Sequence, residues 1–183
     1  MAQANLYDVF MVDPPWPKKK GGIREVTPNQ TRELDYPTMP VVEIYKLLQR
    51  EIFSLGAADH VVFLWIVDEF LESAERNMQH MGYTRHARMI WDKQNGVAPG
   101  FTVRYSHEYL NWYYKGKLLP IDPRLRGKVR TVFTEPSREH SRKPDLAYQI
   151  VNGFYPTQRK FDVFSREKKL GWDQFGNQTN HFN

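Results

Sequence analysis

An apolar segment near the start of the chain, Tyr7–Val12, is followed directly by Asp13, Pro14, Pro15 and Trp16. The run of apolar side chains is typical of a buried β-strand. Two consecutive prolines fix φ and remove two backbone donors, so the strand ends in a rigid turn. That turn carries a carboxylate and an indole. In open α/β sheets, ligands bind outside the carboxyl ends of the strands, so the sequence predicts a ligand site at this turn.

The Asp13–Trp16 turn suits a planar ligand that carries an amine with two N–H bonds, such as adenine. Asp13 and the Pro14 carbonyl would accept both N–H bonds, which favours a more tetrahedral nitrogen whose lone pair can attack a methyl donor. Trp16 would stack on the base, an interaction worth about 1–3 kcal/mol. Catalysis would then rest on positioning and on acceptors, with no base of shifted pKa. The alternative is that the prolines only end the strand and Trp16 caps the core.

The bulk composition narrows the class of protein. A length of 183 residues is enough for one domain, which we expect to span residues 1–183. The chain has no cysteine, and its histidines lack ligand spacing, so we expect no disulfide and no metal site. The longest apolar run, Val61–Val67, is too short to cross a bilayer, and the N-terminus lacks a signal-peptide pattern. We therefore expect a cytoplasmic protein without a membrane partner.

The formal net charge is +5, and its distribution is more informative than its total. Basic residues gather in three loop-like segments, Lys18–Lys20, Arg124–Arg130 and Arg138–Lys143. Aromatic residues lie close by in the sequence, at Phe101, Tyr105, Trp112, Tyr113 and Tyr114. Cations beside aromatic rings are typical of a nucleic-acid surface. We expect the segment of about 93–142 to contact such a substrate; the alternative is a solvated basic face.

Four basic side chains are the predicted nucleic-acid contacts: Lys18, Arg124, Arg126 and Lys128.

Strand-like and helix-like segments alternate along the chain. Further strands are predicted over 60–67, 84–91, 107–115 and 161–164. Helices are predicted over 41–55, where Gly56 ends the helix, over 68–82, where Asp68 caps it, and over 144–153. This alternation favours an α/β fold with a mostly parallel sheet.

Several segments, in order, resemble motifs of the MT-A70 family of adenine-N6 methyltransferases, the DPPW type. They are YDVFMVDPPW, LDYPTMPVVEI, VVFLWIV, GYTRHARMIWDK, EHSRKPDLAY, and FDVFSR followed by GWDQFGNQ. Short phage and bacterial members are the most similar. The resemblance implies a Rossmann-like class I methyltransferase fold with helices on both faces of the sheet. It also implies a permuted motif order, in which the DPPW tetrad precedes the cofactor strand.

The resemblance also implies S-adenosylmethionine as the cofactor, and it assigns residues to it. Lys143 would meet the methionine carboxylate, and Phe164 and Arg166 would border the ribose and adenine. Asn177 and Gln178 would hydrogen-bond the ribose. These assignments come from matching motifs and not from spacing.

By the same resemblance, Asp13, Pro14, Pro15 and Trp16 form the catalytic tetrad, and Tyr36 lies on a loop that closes over the substrate. The implied activity is methyl transfer to N6 of adenine in nucleic acid, with the base rotated out of a duplex. DNA is favoured, on the short architecture alone, and RNA stays open as a substrate. The alternative is an inactive nucleic-acid-binding subunit, which the intact tetrad opposes. Lax sequence recognition or a homodimer is expected at this length.

Overall fold

The computed structural model describes residues 6–17, 38–96, 102–139 and 142–182. Within these residues the strands are β1 (Tyr7–Val12), β2 (Gly56–Ile66), β3 (Thr84–Asp92), β4 (His107–Lys115), β5 (Val132–Thr134), β6 (Lys160–Val163) and β7 (Trp172–Phe175). The α-helices in the same residues are α1 (Val41–Leu47), α2 (Leu71–His80) and α3 (Asp145–Phe154). None of the helices so described is long and apolar enough to cross a membrane.

The strands form one sheet in the order β5-β3-β4-β2-β1-β6-β7. Strand β1 lies in the interior of the sheet and pairs in parallel with β2 and β6, and β7 extends the parallel arrangement beyond β6. Strand β4 runs antiparallel between β2 and β3, and β5 is again parallel to β3. The predicted mostly parallel α/β sheet is confirmed. The end of β1 at Val12 therefore lies at the same edge as the ends of β2 and β6.

Helices cover both faces of the sheet, and the side chains of β1 alternate between the two cores that result. Phe10 and Val12 pack with the apolar sides of α1 and α2. Val9 and Met11 pack on the opposite face with α3. All four side chains are fully buried, so β1 is clamped from both sides and the turn after it starts from a fixed position.

The first helix is shorter than the sequence predicts. The α-helix ends at Leu47 and continues as a π-helical segment over Leu48–Ile52 and a 3₁₀ turn over Phe53–Leu55. The fully buried positions of this stretch, Ile44, Leu48 and Ile52, recur every four residues. That spacing exceeds the 3.6 residues of an α-helical turn, and widening to a π-helix keeps the side chains on the core face. Gly56 does not cap the helix but begins β2.

The second helix also starts differently from the prediction. Asp68 lies in a 3₁₀ turn, Asp68–Phe70, and α2 begins only at Leu71, without a side-chain cap. The Asp68 carboxylate accepts a hydrogen bond from the Tyr109 hydroxyl at 3.2 Å instead. A tertiary partner on β4 thus competes successfully with the local capping interaction.

Two short strands were not predicted. Strand β5 lies inside the basic segment of about 93–142, and β7 follows the last strand that the sequence predicts. With three residues, β5 is too short for a recognisable alternating pattern, and β7, with four, is at the lower limit.

Gly116 makes the sharp exit from β4. Its φ is +70°, and a Cβ there would lie 2.2 Å from Asp59 Oδ1 and 2.6 Å from the Ala58 carbonyl oxygen. Gly127 has the same φ of +70°, but a Cβ there would meet nothing within 4 Å. A substitution at Gly127 therefore carries only the cost of the left-handed conformation, whereas one at Gly116 also carries the cost of a steric clash.

We expect Gly127→Ala to lower the free energy of unfolding by about 1 kcal/mol, the cost of a left-handed alanine. Gly116→Ala should lower it by at least about 2 kcal/mol, because the backbone of Ala58 must also move. Urea denaturation of the two variants measures the difference. Equal losses would show that the backbone around Ala58 yields freely.

Candidate active site at the carboxyl edge of the sheet

The Asp13–Trp16 turn is fixed by backbone hydrogen bonds to its surroundings. The Asp13 N–H donates to the Val163 carbonyl at 3.1 Å, and the Met39 N–H donates to the Pro15 carbonyl at 2.9 Å. The Pro14 carbonyl, expected to be free, accepts a hydrogen bond from the Trp16 N–H at 2.8 Å. This tight three-residue turn uses one lone pair of the Pro14 oxygen and leaves the second for a ligand.

Trp16 lies in the core and not on an open surface. Its side chain is 8% exposed, and its indole N–H donates to the Trp65 carbonyl at 3.1 Å. The ring stacks on Phe70 with centroids 5.1 Å apart. This is the position foreseen by the alternative interpretation, in which Trp16 caps the core. Its stacking on a base stays a prediction, and in this structure Phe70 occupies one face of the ring.

Asp13 belongs to a chain of alternating charges. Lys143 Nζ lies 3.0 Å from Asp13 Oδ1 and 3.1 Å from Glu108 Oε2. The other oxygen of Glu108 lies 2.6 Å from Lys93 Nζ. Asp13 follows β1, Glu108 is on β4 and Lys143 precedes α3, so three elements converge on one buried ion cluster.

The ion cluster shifts the pKa values of Asp13, Lys143 and Glu108. Burial raises the pKa of Asp13 to about 6, which exceeds the opposing effect of Lys143, and Glu108 raises it further. Burial disfavours the charge of Lys143, but Asp13 and Glu108 outweigh this and raise its pKa. Burial also disfavours ionised Glu108, but Lys143 and Lys93 lower its pKa overall. Asp13 is thus the member that titrates near neutral pH, contrary to the expectation of an unshifted carboxylate.

A cleft of about 420 Å³ opens beside Asp13. Pro14 and Pro15 line it on one side, and the end of β7 with Gly176 lines it on the other. Four predicted cofactor residues, distant in sequence from the tetrad, also line it: Phe164, Arg166, Asn177 and Gln178. The structure thus brings them together with the tetrad. Their contact with a cofactor stays a prediction.

Lys143 lies behind this cleft, in a smaller cavity of about 20 Å³. Asp13, Phe164 and Arg166 line both cavities, so the two are neighbours. The guanidinium of Arg166 lies over the Phe182 ring at 4.7 Å. The chain after β7 therefore packs against the predicted cofactor residues.

The wall of the cleft holds a strained residue. Phe164 has a φ of +62°, which is costly for a residue with a side chain, and its N–H donates to the Phe175 carbonyl at 2.6 Å. A Cβ on Gly176 would lie 3.2 Å from Phe164 Cα. The ends of β6 and β7 approach each other closely here, which explains why residue 176 is a glycine.

Sequence reasoning missed a buried carboxyl group beside the site. Asp162 on β6 is 1% exposed and accepts a hydrogen bond from the Tyr148 hydroxyl at 2.9 Å. Its second oxygen accepts no hydrogen bond from the described residues, and burial raises its pKa to about 7. The only sequence signal was an acidic residue within the otherwise apolar strand FDVF.

Glu135 was also missed, and it determines where Lys143 lies. Its carboxylate accepts hydrogen bonds from the backbone N–H groups of Asp145 at 3.0 Å and Leu146 at 2.8 Å, at the start of α3. Arg138 adds a hydrogen bond to the Lys143 carbonyl at 2.9 Å. A cap supplied from ten residues upstream carries no local sequence signature.

The predicted nucleic-acid contacts are not at this edge. Strand β4 runs antiparallel, so the chain leaves the site near Glu108 and ends the strand at Lys115, opposite His60. The loop that carries Arg124, Arg126 and Lys128 starts from that far edge. These residues therefore do not line the cleft, and their contact with nucleic acid stays a prediction.

Two further predicted contacts, Lys18 and Tyr36, lie outside the described residues.

The sequence profile of the MT-A70 family matches residues 7–178. The chain belongs to the MT-A70 family. It is 30% identical over 179 residues to the N(6)-adenosine-methyltransferase MT-A70-like of Arabidopsis thaliana, covering 95% of this chain and 24% of that protein. It is 25% identical to the human N(6)-adenosine-methyltransferase catalytic subunit METTL3, covering 94% of this chain and 28% of that protein.

A bacterial member of similar length is also related. The Type II methyltransferase M.MunI of Mycoplasma sp is 24% identical over 184 residues, covering 93% of this chain and 76% of that protein. The chain spans about a quarter of the length of the plant relatives, at 24% and 23%. The predicted membership in the MT-A70 family is confirmed, and closeness to phage members stays a prediction.

We expect Glu135→Ala to lower the free energy of unfolding by about 1–2 kcal/mol, because two backbone donors at the start of α3 lose their acceptor. Glu139→Ala is the matched control: its carboxylate lies in the same segment, is 59% exposed and pairs only with Arg142 among the described residues. The control should change stability by at most about 0.5 kcal/mol. Thermal denaturation tests both variants. Similar small losses would mean that α3 does not depend on Glu135.

Proposed function

We propose that this chain transfers a methyl group from S-adenosylmethionine to N6 of adenine in nucleic acid. One observation carries the proposal: Asp13 of the DPPW tetrad lies at the rim of a cleft that Phe164, Asn177 and Gln178 also line. Membership in the MT-A70 family, whose relatives are named as methyltransferases, supports it.

The residues present fit S-adenosylmethionine. The cleft volume of about 420 Å³ lies within the range of small-molecule sites, about 300–1,000 Å³. Asn177 and Gln178 offer amides to ribose hydroxyls, and Phe164 offers an apolar contact. Lys143, which the resemblance assigns to the methionine carboxylate, lies in the adjoining cavity, which Asp13, Phe164 and Arg166 also line. When bound, the cofactor supplies an electrophilic methyl group on a sulfonium.

Asp13 and Pro14 act on the adenine amine in this proposal. The free lone pair of the Pro14 oxygen and the Asp13 carboxylate accept the two N–H bonds and orient the nitrogen lone pair. As methyl transfer proceeds, positive charge develops on the nitrogen, and the Asp13 carboxylate stabilises it. With a pKa of about 6, Asp13 can then take the proton that the methylated amine loses.

DNA is the substrate that we favour. The support is the relation to the Type II methyltransferase M.MunI, 76% of which this chain covers. The relatives named N(6)-adenosine-methyltransferase favour an RNA substrate as the second candidate. The proposed cofactor and chemistry are the same in both cases.

Asp13→Ala should abolish methyl transfer, because the mutant loses the carboxylate acceptor. Its fold should persist, since Lys143 keeps Glu108 as a partner. The measurement is mass spectrometry of nucleosides after DNA and RNA are each incubated with S-adenosylmethionine and either protein. N6-methyladenine in one polymer, absent with the mutant, supports the proposal and selects the substrate. No product with the wild type, while nucleic acid is still bound, would favour an inactive binding subunit.

The activity should fall as the pH falls through about 6, because only the ionised Asp13 accepts the amine hydrogens. Glu108 raises the pKa of Asp13, so Glu108→Gln should move this acidic limb to lower pH. The measurement is kcat/KM between pH 5 and 8 for both proteins. An acidic limb that stays in place would mean that another group controls it.

A further inference from the structure

A second surface of this protein lies far from the cleft. We call residues 116–130, which follow β4, the far-edge loop. Glu108 is the second residue of β4 and contacts Lys143 in the site, and Lys115 is the last residue of the strand. Seven residue steps of about 3.4 Å place the start of the far-edge loop about 24 Å from the site.

The far-edge loop packs against the end of α3. The Asp122 N–H donates to the carbonyl of Phe154, the last residue of α3, at 2.9 Å. Leu125 packs against Gly153 so closely that a Cβ on the glycine would lie 2.9 Å from Leu125 Cδ1. The sequence predicted that Gly153 ends α3, but the helix continues through it, and the contact with Leu125 explains the glycine. The far-edge loop therefore has a defined position relative to α3.

The charge of the far-edge loop is not neutralised. Arg124 is held by Asp122, through a contact of 2.6 Å. Arg126, Lys128 and Arg130 are exposed, and no acidic side chain in the described ranges forms an ion pair with them. In contrast, Lys143 at the site is enclosed by carboxylates. Exposed cations without partners are the groups that bind phosphates and release counterions.

An apolar groove of about 310 Å³ lies beside Arg126. Trp112 and Phe154 form part of its lining, together with Leu118 and Ile121. A groove of apolar side chains with a cation at its border suits a polymer that carries both phosphates and bases.

We propose that the far-edge loop is a second contact for the nucleic acid whose adenine occupies the cleft. This second contact rests on the proposed function and adds a minimum length for the nucleic acid that the protein binds tightly. A separation of about 24 Å corresponds to about seven base pairs of duplex at 3.4 Å per step. The start of the far-edge loop thus lies about seven base pairs along a duplex from the site, so a duplex with only about four base pairs on either side of the adenine would not reach it.

The test compares short and long nucleic acids. Fluorescence anisotropy measures the Kd of labelled DNA duplexes of 8 and 24 base pairs, each with a central adenine, at several salt concentrations. Single-stranded RNA of 8 and 24 nucleotides is measured in parallel. The proteins are the wild type, the double variant Arg126→Ala/Lys128→Ala and the control Arg50→Ala/Arg76→Ala. The control removes the same charge from the face covered by α1 and α2.

The wild type should bind the longer form of one polymer at least about tenfold more tightly than its shorter form. The Arg126/Lys128 variant should lose this gain and bind the shorter form as the wild type does. Its slope of log Kd against log salt on the longer form should fall by about two, one unit for each lost phosphate contact. The control should keep the gain and the slope. An equal loss in the control, or an unchanged Arg126/Lys128 variant, would overturn the proposal.

Methyl transfer measured on the same samples separates this proposal from the proposed function. If the affinity for the longer nucleic acid depends on the far-edge loop but no N6-methyladenine forms, the proposed methyltransferase activity is contradicted and the second contact is supported. Methylation with affinity independent of the far-edge loop would contradict only the second contact.

Discussion

The ammonium group of Lys143, enclosed by Asp13 and Glu108, connects the elements from which the site is built. Each of these three side chains is at most 16% exposed, so the charge of Lys143 depends on the two carboxylates for compensation. Removing one partner of a buried ion pair typically costs about 3–5 kcal/mol, because the other charge is left uncompensated. The cluster therefore fixes the end of β1, the start of β4 and the approach to α3 relative to one another.

The cluster also links stability to the proposed chemistry. Lys143 is positioned from behind by Glu135 and Arg138, which hold the backbone at the start of α3. The burial that makes the cluster rigid also raises the pKa of Asp13 to about 6. A carboxylate that titrates near neutral pH can accept hydrogen bonds in one state and hold a proton in the other. The burial of these charged groups therefore both fixes the cluster in place and shifts the pKa of Asp13.

The antiparallel direction of β4 divides the molecule into two functional edges. It delivers Glu108 to the site and carries the following chain to the opposite edge, where the far-edge loop packs on the end of α3. Arg142 and Lys143 near the cleft are paired with carboxylates, whereas Arg126, Lys128 and Arg130 remain open to solvent. One edge is arranged for a small ligand and a base, and the other has the charge to hold a polymer.

The fold class, the family and the tetrad can be predicted from the amino-acid sequence, because they depend on local patterns. The turn after Tyr7–Val12 and the periodicity of the apolar segments are properties of neighbouring residues. The contact of Trp16 with Phe70, the capping of α3 by Glu135 and the separation of Arg126 from Asp13 could be found only in the folded protein. Each of these depends on contacts between residues far apart in the chain, or on the direction of one strand. Local patterns report which side chains are buried, but long-range packing decides which of them meet.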